Sequence, residues 1–439
     1  MGQYKQLTGA KQVIFALGHI GPGSLNQFIT TWLMISLTSG ENVIMNSSLV
    51  GVSLMIGRLV DAMADPLVAN WSDRFANSRF GRRMPFMIGG TIPMILSFNM
   101  LWYTRYISDN GILRFLWILG GVNLFYFAYT VVVNPYFALL PEIASEKKQR
   151  MFIQSFVALF GILGMGISMG ASGFLIDRFG YGGAGLIMSI LCAVVMVGPL
   201  LTVRINPGAK DLPAEESSSS NILVSLKSAL SNKSFRTYIL GFCIFFLGFQ
   251  MIQYNMAFLT TVLLGLDRGM SSILFITSVV TAVLLIPVYN LIMKKLASID
   301  ALRLAVGSFM AIAILMALLP ALLGSSGHGM ILGFVLMALL GFPYSGMMVI
   351  PNILVSEIID EDIRVNHMHR EALFFGVQGL INKFMVSIAA LTVGFILDVF
   401  GNSTEHPVGV ILVAPIAAVV ALIGFLVMTH LNISKEKSE

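Results

Sequence analysis

Residues 57–66 read Gly57-Arg-Leu-Val-Asp-Ala-Met-Ala-Asp-Pro66, inside an apolar stretch that runs from about residue 43 to residue 70. Arg58, Asp61 and Asp65 are spaced by three and then four residues, so a helix projects all three from one face. An ionised side chain at the centre of a bilayer costs at least ~2.5–3.5 kcal/mol on insertion scales. Three such groups in one span cannot face lipid, and must face a polar cavity, one another or a bound cation. Ala62 and Ala64 are small enough to let another helix approach beside the acids. Pro66 lacks an N–H and so frees the carbonyl of Ala62. A buried Arg58–Asp61 salt bridge accounts for one carboxylate and leaves Asp65 over. Two carboxylates one turn apart suit a monovalent cation held by oxygens, or a proton shared between coupled acids.

The chain around this stretch agrees with a membrane setting. Of 439 residues, 56% are apolar and 11% charged, against about 25% charged in soluble proteins. That excludes soluble and disordered classes, and two cysteines, Cys192 and Cys243, exclude a disulfide scaffold. Both lie in apolar stretches and read as buried packing residues. At ~20 apolar residues per crossing, twelve spans can be drawn: 12–38, 43–70, 84–106, 113–140, 150–174, 183–203, 235–263, 270–296, 301–322, 328–356, 371–398 and 407–431. The polar start, Met1–Lys11, followed by an apolar stretch too long for a signal sequence, reads as a retained first span. With both termini on one side, only Arg105, Arg114, Arg178 and Arg268 fall opposite, and Arg58 and Lys383 fall within spans. The other 21 of the 27 Lys and Arg share the side of the termini. The positive-inside rule then makes that side cytoplasmic, and the plasma (inner) membrane is the expected location.

Segment 204–234, with Pro207, Gly208, Pro213 and the run Ser217–Ser220, reads as a linker. It separates an N-terminal six-helix bundle (1–203) from a C-terminal one (235–439). A repeat supports the division. Ala138-Leu-Leu-Pro-Glu-Ile143 and Ile353-Leu-Val-Ser-Glu-Ile358 end the fourth and tenth spans at an offset of 215, and Pro66 and Pro287 each precede basic residues. An all-α, polytopic chain of six plus six helices has the plan of the major facilitator fold, whose substrate site lies near the midplane between two halves.

Asp61-Ala-Met-Ala-Asp-Pro66, followed by Trp71 and Arg79-Phe-Gly-Arg-Arg-Met-Pro85, resembles the glycoside–pentoside–hexuronide:cation symporter family. Tyr129-Thr-Val-Val-Val-Asn-Pro135, Asp360-Glu-Asp362, Glu371 and Lys383 extend the resemblance over most of the chain. It implies that Asp61 and Asp65 bind the cation with Thr130 as a further hydroxyl ligand. It also implies that Lys383 lies close to both sites. A cation and Lys383 would compete for the same carboxylates, so with Arg58 and Lys383 as the charge pair cation binding alters the charge balance that sets the inward–outward equilibrium. Asp73, Arg74, Arg82 and Arg83 match a loop motif whose charges act as a cytoplasmic latch. Three departures stand out: Ile20 and Val133 occupy positions where sugar-binding members carry acids, and Ala64 replaces an asparagine between the paired acids.

Other polar residues in the spans could line a substrate pocket: His19, Asn26, Gln27, Asn134, Gln154, Gln250, Gln253, Tyr254, Asn255 and Gln378. The run Gln250-Met-Ile-Gln-Tyr-Asn255 is the densest cluster, and neutral amides suit a polyol or a zwitterionic head group. His367 and His369 are too few for a metal site, so no resident metal or cofactor is expected, only co-transported Na⁺ or H⁺. No Gly-Lys pair exists to form a P-loop, and no nucleophile motif points to an enzyme. The expectation is a monomeric, cation-coupled transporter of a small organic solute, a sugar or glycoside, working by alternating access in the lipid bilayer without nucleic acid. The alternative is a carrier of lysophospholipid or another amphipath.

Overall fold

The computed structural model describes residues 4–39, 43–75, 80–144, 146–204, 222–319, 329–366 and 370–430. Almost all of these are helical, as backbone groups in lipid require when no water is present to bond them. The first predicted span is met by α1 (Ala10–Leu17) and α2 (Ile20–Thr38), broken at Gly18 and His19. Then follow α3 (Ser47–Arg74), α4 (Met84–Leu101) and α5 (Gly111–Ile143). A continuous run, α6 (Lys147–Thr202), contains the fifth and sixth spans, and Gly180 divides it with φ 70° and ψ 175°. Only glycine takes that backbone conformation readily, so the turn falls within the predicted gap.

The second half comprises α7 (Ile222–Ser231), α8 (Lys233–Phe258) with a π-helical turn at Leu259–Leu263, and α9 (Arg268–Lys295). It ends with α10 (Ser298–Ala317), α11 (Gly329–Asn366), α12 (Glu371–Phe400) and α13 (Val408–Thr429). Several starts are capped in sequence: Asn110, Asn232 and Asp267 each accept a backbone N–H of the first turn. The stretch 204–234 is not linker throughout, because residues 222–231 form α7. Residues 205–221 lie outside the described residues, as do Arg79, His367 and His369.

Ten of the described helices are long and apolar enough to cross a membrane when α6 is taken as one. Dividing α6 at Gly180 and adding the α1–α2 pair restores the twelve expected spans. The helices cluster into two compact units, Met1–Ser219 and Ser220–Glu439. In the first, α3 and α4 pack on α5, and α1 and α2 pack on α6. In the second, α8 and α10 pack on α13, and α9 and α10 pack on α11. Large apolar side chains such as Leu67, Ile92, Leu96 and Leu284 remain exposed, which suits surfaces solvated by acyl chains. Cys192 and Cys243 are buried free thiols.

Candidate functional site

In the first unit, α3 and α5 run in the same direction in register. Thr130 donates its hydroxyl to Asp61 Oδ1 at 2.5 Å, and Asn134 Nδ2 donates to Asp65 Oδ1 at 3.1 Å. Both pairs are separated by 69 residues, so one turn of α3 faces one turn of α5. The helices come this close because Gly57 lies against Tyr126: a Cβ there would stand 2.5 Å from Val122 Cγ1 and 2.8 Å from Tyr126 Cδ2. Asp61 is 2% exposed and Thr130 1%, whereas Asp65 is only half-buried. Asn134, expected on the substrate wall, donates its amide N–H to Asp65. It brings from α5 the amide that Ala64 removes from α3.

Arg58 is drawn toward α2. Its guanidinium donates to Thr30 Oγ1 at 3.3 Å and stacks on the Tyr126 ring with 4.4 Å to the centroid. Tyr126 reaches the Asn26 side-chain oxygen at 3.4 Å. Thr30 and Tyr126 had no signal in sequence, being one hydroxyl and one aromatic among many. The result is a layered arrangement on three helices: two carboxylates with a hydroxyl and an amide on one side, and a held guanidinium one turn away. Hard oxygens of this kind match a monovalent cation. The Thr130 hydroxyl can turn its lone pairs to an arriving ion, since a hydroxyl both donates and accepts.

The remaining candidates separate into packing and open positions. His19 donates Nδ1–H to the Val157 carbonyl at 3.1 Å and packs edge-on to Phe137, so it ties the α1–α2 break to α6. Gln27 donates to Thr31 on its own helix, and Gln154 is exposed. The dense run on α8 divides. Asn255 holds the Val410 carbonyl of α13 at 2.8 Å, while Gln253 hydrogen-bonds Tyr344 of α11. Tyr344 was missed in sequence, although it stands 215 residues after Tyr129. Gln250 is half-buried, Tyr254 is buried, and Gln378 donates to Tyr238 at 3.4 Å. Lys383 lies half-buried on α12 of the second unit.

The latch residues form a tighter network than their loop position suggests. Arg83 pairs with Asp73 at 2.8 Å and with Glu142 at 3.2 Å, donates to the Ala138 carbonyl, and stands beside Arg82, which pairs with Glu142 at 2.6 Å. Burial disfavours the Arg82 charge, but its bond to Glu142 and the charges of Glu142 and Asp73 together outweigh that and hold the guanidinium above its ordinary value. Arg74, expected in the latch, is exposed and stands outside these pairs. Glu142, the acid of the repeated Glu-Ile ending, is the centre that the loop motif alone did not supply. Residues 4–9 strap this network: Tyr4 accepts the Arg83 N–H at 3.4 Å, and Leu7 N–H donates to the Ile143 carbonyl. Gly81, at φ 83°, leaves room for the Tyr4 ring, since a Cβ there would collide with its hydroxyl.

A match to the MFS/sugar transport protein family extends over residues 14–435. The chain belongs to that family. Family membership makes it an integral, polytopic membrane protein of the major facilitator fold. The uncharacterized symporter sll1374 of Synechocystis sp. is 31% identical over 38% of this chain, a stretch amounting to 30% of that protein. The sodium-dependent lysophosphatidylcholine symporter 1 of Xenopus tropicalis is 24% identical over 88% of this chain and 80% of its own length. The solved structure of the nucleoside transporter NupG covers 96% of this chain and 100% of its own, with a TM-score of 0.69 at 12% identity. That likeness bears on the fold alone.

Proposed function

We propose that this protein is a secondary active transporter that couples the entry of a cation to uptake of a small organic solute, a sugar or glycoside, by alternating access. The observation that carries the reading is the in-register pairing of Asp61 with Thr130 and Asp65 with Asn134 inside two membrane spans. A passive facilitator has no need of two acids kept at that cost. The family to which the chain belongs is described by sugar transport, and the relatives named above are symporters. Na⁺ or H⁺ is the coupling ion, Asp61, Asp65 and Thr130 its ligands, and Arg58 and Lys383 the coupling charges. Gln250, Gln253 and Gln378, with Tyr344, are the polar groups offered to the solute by the second unit. The excess of basic residues on one side supports cytoplasmic termini in the plasma (inner) membrane. The chain acts as a carrier rather than an enzyme, and as a monomer.

Uptake into proteoliposomes tests the reading, with a panel of sugars and glycosides and an imposed Na⁺ or proton gradient. Accumulation should collapse when the gradient is removed and in Asp65→Asn. Gradient-driven accumulation that survives Asp65→Asn at full rate removes the acids from the mechanism. A second reading rests on the near full-length likeness to the lysophosphatidylcholine symporter. Lysolipids, rather than glycosides, should then raise the melting temperature of the purified protein.

A further inference from the structure

A groove of about 320 Å³ opens in the first unit between α3, α4 and α5, near the lower end of the roughly 300–1,000 Å³ of ligand pockets. Its walls are apolar: Trp71 of α3, Phe86, Gly89 and Pro93 of α4, and Phe127 and Val131 of α5. It is separate from the acid pair, whose hydroxyl and amide partners do not line it. Trp71 is 55% exposed at the rim and packs edge-on to Phe86 at 4.9 Å. Gly89 leaves the groove open, since a Cβ there meets nothing within 4 Å.

A sugar or an ion finds little beyond the Trp71 indole N–H to bond on such walls, whereas an acyl chain needs no hydrogen bond. The charge at the groove's end supplies the rest of the identity. Arg74 is the last residue of α3, three after Trp71 and next to Phe75, which also lines the groove. It is exposed, while Arg82 and Arg83 are neutralised by Glu142 and Asp73. The tryptophan and the arginine therefore stand where a bilayer presents its head groups, with an apolar slot running inward from them. We propose that the groove is a binding site for a bilayer phospholipid with an anionic head group, one acyl chain lying in the slot and the phosphate at Arg74.

The position gives such a lipid a hold on the cation ligands. The inner wall includes Val131, the residue after Thr130. Val131 packs with Ala64, Val68 and Phe86 in one buried cluster, and Ala64 lies between Asp61 and Asp65. A chain in the slot braces the same two helix turns that carry the acids.

Trp71 is one of four tryptophans, so its fluorescence can be isolated as the difference between the full-length protein and Trp71→Phe. The protein is reconstituted in bilayers containing phosphatidylglycerol or phosphatidylcholine brominated along the acyl chain. Trp71 should be quenched more per mole of phosphatidylglycerol, by roughly fivefold, the worth of one basic residue at an anionic surface. Arg74→Gln should abolish that preference while leaving quenching by phosphatidylcholine unchanged. Gly89→Leu, whose Cβ has open space and whose side chain projects into the slot, should reduce quenching by both lipids. Equal quenching by the two lipids in the unaltered protein overturns the proposal, as does quenching indifferent to Gly89→Leu. Relief of quenching by added glycoside or lysophosphatidylcholine also overturns it, by placing a transported solute in the groove. None of these readings depends on transport, so the outcome stands apart from that of the coupled-carrier reading.

Discussion

Asp61 is buried to 2% exposure with the Thr130 hydroxyl at 2.5 Å, and on the proposed reading that hydroxyl turns its oxygen to the ion and contributes to its affinity. A hydrogen bond to a charged group is worth ~1.5–3 kcal/mol. Thr130→Val should therefore weaken cation binding by about 10–100-fold, while Thr130→Ser should retain most of it. Titration of Na⁺ or Li⁺ against the purified protein, followed by calorimetry, measures the difference. Equal affinity in the valine variant would remove Thr130 from the ligand set. The acids were legible because a carboxylate inside an apolar span is too costly to keep unless something there uses its charge. Asn134 carries no sign of Asp65 in the sequence, because an amide alone does not reveal its partner. Its bond to Asp65 exists only through the 69-residue register between α3 and α5.

Pairing of the α3 and α5 elements depends on one small residue. Gly57 allows α3 to touch Val122 and Tyr126 of α5, and Gly57→Ala should force the two helices apart. Overpacking of this kind costs ~1–3 kcal/mol, so the variant should melt at lower temperature and bind the cation more weakly, the two effects together. Beside Arg82 and Arg83, burial pushes the Tyr4 hydroxyl above its ordinary value of 10.0. A pKa raised in the folded state means that the contribution is whole below about pH 10 and is lost as pH rises through the folded value. Melting temperature should fall above about pH 10, and the alkaline slope should flatten in Tyr4→Phe. An identical slope in that variant would show that the strap does not titrate. The latch was half legible in sequence. Asp73, Arg82 and Arg83 come together as the loop motif implies, but Arg74 turns out and Glu142 enters from α5. The repeat offset explains the counterpart: 215 residues on from Arg83 and Glu142 are Ser298 and Glu357, bonded at 2.5 Å. The same offset sets Tyr344 and Ser345 against Tyr129 and Thr130, while Ile276 and Val280 stand against Asp61 and Asp65. At these positions the second unit keeps the hydroxyl and lacks the acids.

Over the whole molecule, that asymmetry is the reason the proposed coupling ion is placed with the acids of the first unit. On the proposed reading Lys383 acts on coupling rather than on ion ligation. Lys383→Gln should leave cation titration within about threefold, less than about 1 kcal/mol, while gradient-driven accumulation falls. Parallel measurements of ion affinity and of accumulation separate the two. Loss of both together would place the lysine among the groups that hold the ion, and loss of neither would remove it from the mechanism.

The sequence by itself determined the helical class, the number of spans and the acid pair. Each follows from one strong term, the cost of exposing backbone polar groups or charge to hydrocarbon, which acts on a residue whatever its neighbours. The partners of those residues were decided only by the tertiary structure. Asn134 on Asp65, Thr30 and Tyr126 on Arg58, and Glu142 on two arginines are contacts between distant segments. Helix register, set by close approaches such as Gly57 on Tyr126, chooses among many polar groups that composition leaves equivalent.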